Sequence, residues 1–295
     1  MGRQKPRRSS NGGYAGYLWR SLMALSLALV GCGSMGSALL KGWLTLPDSK
    51  KRFEHFWIIA PHRGSVSPFL YDERVQWFSS PSQLSKTPDL IVFAVKPARL
   101  SEILPAYKPF ETLVVSVAAG KQISFYEALL SPRARVVRAM PNLPVSVRQG
   151  VIGFYAHATL SAIERARLET AFKELGLIFW VGSDDEIDKM TALIGSGPAY
   201  VFYLMEGFIE AALSLGFSES AALKISLQTF LGASTYASFS QTSPKSLRKK
   251  VTSPQGTTAE ALKVLERGHV YTLLKDAVKA AYKRARELAH EGESL

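Results

Sequence analysis

Between Leu25 and Val181 the chain alternates short apolar runs with stretches of helical period, and this constrains the fold more than any other feature. The apolar runs are Ser26–Val30, Phe56–Ala60, Leu90–Val95, Leu113–Ala118, Ala134–Met140 and Gly150–Tyr155, with a late one at Ile178–Val181. A strand covered by helices on both faces reads as a near-continuous apolar run. Ser34–Trp43, Ile123–Leu130 and Ser161–Leu175 carry the helical period. Strands interleaved with helices predict a doubly wound, mainly parallel α/β sheet.

After Gly182 the texture changes. Asp184–Leu215, Ser218–Phe239, Ser243–Lys250 and Thr257–Ala289 place apolar residues at helical spacing, with Ser218 as N-cap and Glu219 in the first turn. Phe202, Leu204, Met205, Phe208 and Ile209 cover much of one helix's circumference. A helix apolar nearly all round is buried on most sides. In a helical half this small, that predicts burial against another subunit.

The chain has 295 residues, 47% hydrophobic and 20% charged, which fits about two globular domains and excludes wholesale disorder or a collagen-like repeat. A lone cysteine, Cys32, makes neither an internal disulfide nor a cysteine-based zinc site. His55, His62, His157, His269 and His290 show no ligand spacing, so no metal is expected. The net charge is +12. Setting aside Arg3, Lys5, Arg7, Arg8 and Arg20 leaves 31 basic against 24 acidic residues, or +7. A mildly basic body suits an anionic ligand such as a phosphate-bearing cofactor. Nucleic acid is the weaker reading, because no basic helix carries base-reading polar residues.

The first thirty residues admit three readings. A basic, then apolar, order is that of a secretory signal, and Leu29-Val30-Gly31-Cys32 resembles a lipoprotein processing site with Cys32 as acceptor. An Arg-rich, acid-free segment also suits an organelle transit peptide. The third reading takes Ser26–Val30 as a buried parallel strand. The residues after Cys32 favour this one, since they continue into a strand-to-helix turn that a cleaved leader would not need. Residues 1–24 are then a disordered basic extension, with Met23 an alternative start. No apolar stretch reaches the roughly 20 residues of a membrane span, and a cytoplasmic protein is expected.

Four motifs carry chemistry. Gly31-Cys32-Gly33-Ser34-Met35-Gly36 follows a strand and opens a helix, the context a dinucleotide fingerprint requires. Gly31 makes the tight turn, Gly33 admits a pyrophosphate to the backbone, and Gly36 lets helix and strand pack closely. Ser34 and Met35 stand at the amide-rich, partly positive helix start. The plain alternative is a glycine turn without ligand. At the second strand's end, where Asp or Glu meets a free ribose hydroxyl, stands Pro61-His62-Arg63. Arg63, helped by His62, pairs with a 2′-phosphate there, favouring NADP(H) over NAD(H); the alternative is a solvated arginine. Ala94-Val95-Lys96-Pro97 ends a third strand, with Val95 against the cofactor, Pro97 fixing the turn, and Lys96 either catalytic or a cation near phosphates. Met140-Pro141-Asn142-Leu143-Pro144 is a second strand-end loop, where Asn142 both donates and accepts. The fourth motif, Val251–Glu260, lies in the helical half. Ser253 or Thr257 caps a helix there, and its free amides with the Thr257 and Thr258 hydroxyls form a carboxylate nest. A well-capped helix start with no ligand is the other reading.

Gly31–Gly36, Ala94–Pro97, Ser116–Gly120, Met140–Pro144, Gly195–Tyr200 and Val251–Glu260 run in one order over Leu25 to Leu288. Together they resemble the pyrroline-5-carboxylate reductase family, the last enzyme of proline synthesis; Val251–Glu260 is its most specific motif. The resemblance implies a Rossmann-like dinucleotide-binding domain over 25–183 and a helical dimerisation and substrate domain over 184–295. It implies a dimer, often built into a decamer, with an active site partly supplied by the partner, and reduction of L-1-pyrroline-5-carboxylate to L-proline by NADPH or NADH. It assigns Ser253, Gly256, Thr257 and Thr258 to the substrate carboxylate and ring, with Thr258 the catalytic hydroxyl near the ring nitrogen. It assigns Val95, Lys96, Ala118 and Asn142 to the nicotinamide end. Two departures stand out. Gln255 replaces the family's usual glycine, so a side chain there narrows the nest or forces a different backbone. His62-Arg63 replaces the common Asn-Arg and keeps the arginine.

The rivals are a β-hydroxyacid dehydrogenase, a lipid-anchored module attached through Cys32, and a cofactor-binding regulator without turnover. The first relies on a helical lysine four residues before an asparagine, and Gly195–Tyr200 offers none.

Overall fold

The apolar runs pair into a single sheet. In the computed structural model, which describes Ala24–His290, the strands are β1 (Leu25–Val30), β2 (Phe53–Ile59), β3 (Val75–Phe78), β4 (Leu90–Phe93), β5 (Leu113–Ser116), β6 (Arg135–Pro141), β7 (Gly150–Ala156) and β8 (Gly176–Trp180). Their order is β3-β2-β1-β4-β5-β6-β7-β8. Every pairing is parallel except β6–β7. Strand order reverses between β1 and β4, which opens a ligand crevice beyond the carboxyl ends of the strands.

Two apolar clusters cover the two faces. On one, helix α1 (Ser34–Leu44) and helix α3 (Ala162–Phe172) pack on the sheet. Trp43 stacks on Phe56, meets Phe172 edge-on, and donates its indole N–H to the Ala171 carbonyl at 2.6 Å. On the other, helix α2 (Ile123–Leu129) joins Leu100, Leu104 and Tyr107. Helix α4 (Asp184–Met190) follows β8 and runs into a π-helical turn, Thr191–Gly195.

The chain divides into two compact units. One holds the described residues up to Gly195 together with the end of the last helix from Arg284; the other is Ser196–Lys283. The second contains α5 (Gly197–Ser214), α6 (Glu219–Phe239), α7 (Pro244–Lys250), α8 (Thr257–Arg267) and most of α9 (Val270–His290). Ser218 caps α6 by accepting from the Ala221 amide, as its position predicts.

Several expectations are corrected. β3 was unforeseen. The helical stretch expected over Thr257–Ala289 breaks at Gly268-His269, where His269 takes φ 51°. Helical backbone over Asp184–Ser214 is long and apolar enough, by length and composition, to cross a membrane; Glu206 and Glu210 interrupt the strict apolar run without lowering its mean enough. Cys32 is 4% exposed, packed between β1 and α1, which leaves no accessible thiol for a lipid. The basic extension and the alternative start at Met23 lie outside the described residues.

Candidate active site

Backbone geometry at the end of β1 builds a tight turn that opens straight into a helix. Gly31 takes φ +91°, and its amide donates to the Ile59 carbonyl at 2.8 Å, so the chain turns sharply out of the sheet. A Cβ on Gly36 would lie 2.3 Å from the Gly31 carbonyl oxygen, which is the close helix–strand approach that excludes a side chain. Gly33 differs. It is the N-cap of α1, and a Cβ there would meet nothing within 4 Å. The first helical bond runs from Ser37 to the Gly33 carbonyl at 2.8 Å, so the amides of Ser34, Met35 and Gly36 precede it. No acidic residue occupies this first turn. Open space, unspent amides and a helix dipole fit a dinucleotide pyrophosphate. Cys32 braces the turn, its sulfur lying 3.4 Å from both Ser37 Oγ and the Ser65 carbonyl. Burial pushes the Cys32 thiol pKa up, keeping it neutral.

The other residues that the sequence assigns to the cofactor follow β2, β4, β5 and β6 along the same sheet edge. His62 and Arg63 are exposed after β2; the Arg63 carbonyl accepts from the Val66 and Ser67 amides and Ser67 Oγ. Among the described residues the guanidinium has no ion pair, leaving it free for a phosphate. Val95 is half-buried against Gly31, Lys96 is exposed, and Pro97 opens a 3-10 turn. Ala118 is buried in the loop after β5. Asn142 is 8% exposed and its Oδ1 accepts from the Val151 amide at 2.9 Å, so its oxygen latches β7 to the loop after β6.

Below this edge lies a charged cluster that the sequence reading missed. Arg138 on β6 is 1% exposed; it donates to Asp184 Oδ1 at 2.5 Å and Asp188 Oδ1 at 3.0 Å, both on α4. Burial raises the Asp188 carboxyl pKa, and the Arg138 guanidinium opposes that rise. The available signal was an arginine inside an apolar strand together with acids four apart on a helix, a spacing that puts both on one face.

In the helical unit, Gly256 and not Ser253 or Thr257 is the N-cap of α8, and it makes no side-chain cap bond. A Cβ on Gly256 would fall 2.3 Å from Ser253 Oγ, so a side chain there would displace the serine hydroxyl from its place over the turn. Thr257 and Thr258 are the first two helical residues, and their amides precede the bond from Glu260 to the Gly256 carbonyl. Gln255 takes φ +59°, the left-handed conformation that glycine adopts freely. The backbone therefore keeps a glycine shape and carries an exposed side chain.

Residues 184–288 match a family model for pyrroline-5-carboxylate reductase dimerisation, and residues 26–120 match one for NADP oxidoreductase, coenzyme F420-dependent. A pyrroline-5-carboxylate reductase of Pseudomonas aeruginosa is 34% identical over 271 residues, covering 90% of this chain and 97% of its own. A Coxiella burnetii pyrroline-5-carboxylate reductase structure has TM-score 0.80 and 34% identity, covering 90% of this chain and 99% of its own. The Plasmodium falciparum pyrroline carboxylate reductase, solved with NADP bound, has TM-score 0.79 and 26% identity, covering 91% and 99%. The chain belongs to the pyrroline-5-carboxylate reductase family.

Proposed function

We propose that this protein reduces L-1-pyrroline-5-carboxylate to L-proline, with NADPH the preferred cofactor and NADH the second. One observation carries the reading: an open phosphate cradle at Gly33, with the unpaired Arg63 beyond β2, on the same chain as a Ser253–Thr258 helix start. NADPH, when bound, supplies the hydride. Ser34, Met35 and Gly36 hold its pyrophosphate, Arg63 and His62 its 2′-phosphate, and Val95, Lys96, Pro97, Ala118 and Asn142 line its nicotinamide end. The amides of Thr257 and Thr258, with Ser253 and Gly256, grip the substrate carboxylate. The Thr258 hydroxyl bonds the ring nitrogen, whose proton arrives with the substrate or from water. The protein works mainly by positioning, an effect worth up to about 7–11 kcal/mol in favourable cases.

Residues 25–183 serve as the cofactor domain and 184–295 as the dimerisation and substrate domain, the working unit being a dimer or a decamer built from five dimers, in the cytoplasm. Neither nucleic acid nor membrane is a partner. The test is steady-state oxidation of NADPH and of NADH with pyrroline-5-carboxylate, with proline identified as product. No oxidation of either would refute the reading. In Thr258→Ala, kcat/KM falls while Tm holds; unchanged kinetics would remove Thr258 from the mechanism.

A further inference from the structure

We propose that Tyr126 is a positioning residue for the nicotinamide end of the cofactor, acting through Ser116 and the backbone of Ala118. The proposal rests on the reading above. The loop Val117–Gly120 leaves β5 at the carboxyl edge of the sheet, beside the loop that follows β4. The Val117 amide donates to the Phe93 carbonyl at 3.0 Å, so the two loops are joined at their roots. Ser116 Oγ lies 2.5 Å from Tyr126 Oη and accepts from the Ala118 amide at 3.3 Å.

Tyr126 is fully buried on α2, within the apolar cluster of Phe93, Ile123, Leu130 and Val136. Phenylalanine would fill that space as well, and a buried hydroxyl costs free energy unless it is bonded. The bond it makes leads only to the loop. Burial raises its pKa to about 12, so the phenol stays neutral and the link does not titrate near neutral pH. Arg138, the register partner of Ser116 on β6, lies close enough to oppose that rise.

The far end of the same loop is held too. Gly120 takes φ +70°, and a Cβ there would come within 3.0 Å of the Leu288 carbonyl, so the last turns of α9 rest on it. Ala118 and Ala119 are thus suspended between two fixed points. A loop placed this way sets how far the nicotinamide sits from its acceptor, and an error of about 1 Å there costs on the order of a hundredfold in rate.

The experiment is Tyr126→Phe in the full chain, with Gly120→Ala as a second perturbation of the same loop should Tyr126→Phe fail to fold. Three readouts are taken: kcat/KM for pyrroline-5-carboxylate, the isotope effect with NADPH deuterated at C4, and affinity for NADPH against adenosine 2′,5′-bisphosphate, which lacks the nicotinamide. The expected result is a fall in kcat/KM of about tenfold or more, a larger isotope effect, and weaker NADPH binding with the bisphosphate unchanged. Unchanged kinetics and isotope effect alongside a lowered Tm would make Tyr126 a core hydrogen bond only and overturn the proposal. Equal weakening of both ligands would overturn it as well. If the unsubstituted protein binds NADPH but does not turn over, the functional reading fails alone, and the affinity split still tests Tyr126.

Discussion

Arg63 separates its two ends: the backbone carbonyl is fixed by three hydrogen bonds, and the guanidinium stands exposed. Such a residue holds a loop's shape whether or not its charge is present, so Arg63→Ala should leave Tm nearly unchanged. A charge-assisted bond to phosphate is worth about 1.5–3 kcal/mol, so KM for NADPH should rise about tenfold or more while KM for NADH moves little. Equal losses for both cofactors would refute the phosphate role. The expectation for Arg63 came from an acid missing at a position where chemistry expects one. Arg138 was not legible. Its partners lie 46 and 50 residues away in sequence, and a pattern read locally sees only an apolar strand with one odd member. Nor does sequence show that Asn142 spends its oxygen on the Val151 amide, because that bond exists only once β6 and β7 are antiparallel.

At the scale of an element, the strand-turn-helix over Leu25–Leu44 contains two glycines in different surroundings. Gly36 is excluded from carrying a side chain by the Gly31 carbonyl, and Gly33 by nothing in the protein itself. Gly36→Ala should therefore destabilise by about 1–3 kcal/mol, the usual cost of overpacking, measured as a drop in Tm. Gly33→Ala should keep Tm and lose about tenfold or more in NADPH affinity, because the methyl enters the space a pyrophosphate would use. A Gly33→Ala protein that bound NADPH normally would show that the cradle holds no phosphate. The central strands were legible for the reason that makes them central: helices cover both faces, so nearly every side chain is apolar, Ser26, Ser116 and Arg138 being exceptions. β3 was not, being a four-residue edge strand with only Val75 buried among its members. The break between α8 and α9 was hidden because His269 adopts a left-handed backbone that its residue type does not advertise.

At the scale of the whole molecule, the helical unit leaves apolar surface exposed among the described residues. Phe202 is 53% exposed, Leu231 61% and Tyr271 66%, and α5 has no buried residue. Monomeric proteins rarely present contiguous apolar patches above a few hundred Å². Composition alone lets the Asp184–Ser214 stretch satisfy either a lipid or a partner helix. Its place within the segment matched to a dimerisation family supports the partner, and the chain self-associates. Folding of such a unit is coupled to protomer concentration, since anything that binds only the folded form stabilises it. Tm should accordingly rise on concentrating the protein, and sedimentation should give a dimer or a multiple of one. Phe202→Glu places a charge where apolar burial is needed, which should cost about 2 kcal/mol or more, as for a central interface residue. The mass should then shift toward monomer, and kcat/KM should fall with it if the partner completes the site. A monomeric unsubstituted protein at all concentrations, with full activity, would show that the apolar faces serve some other contact.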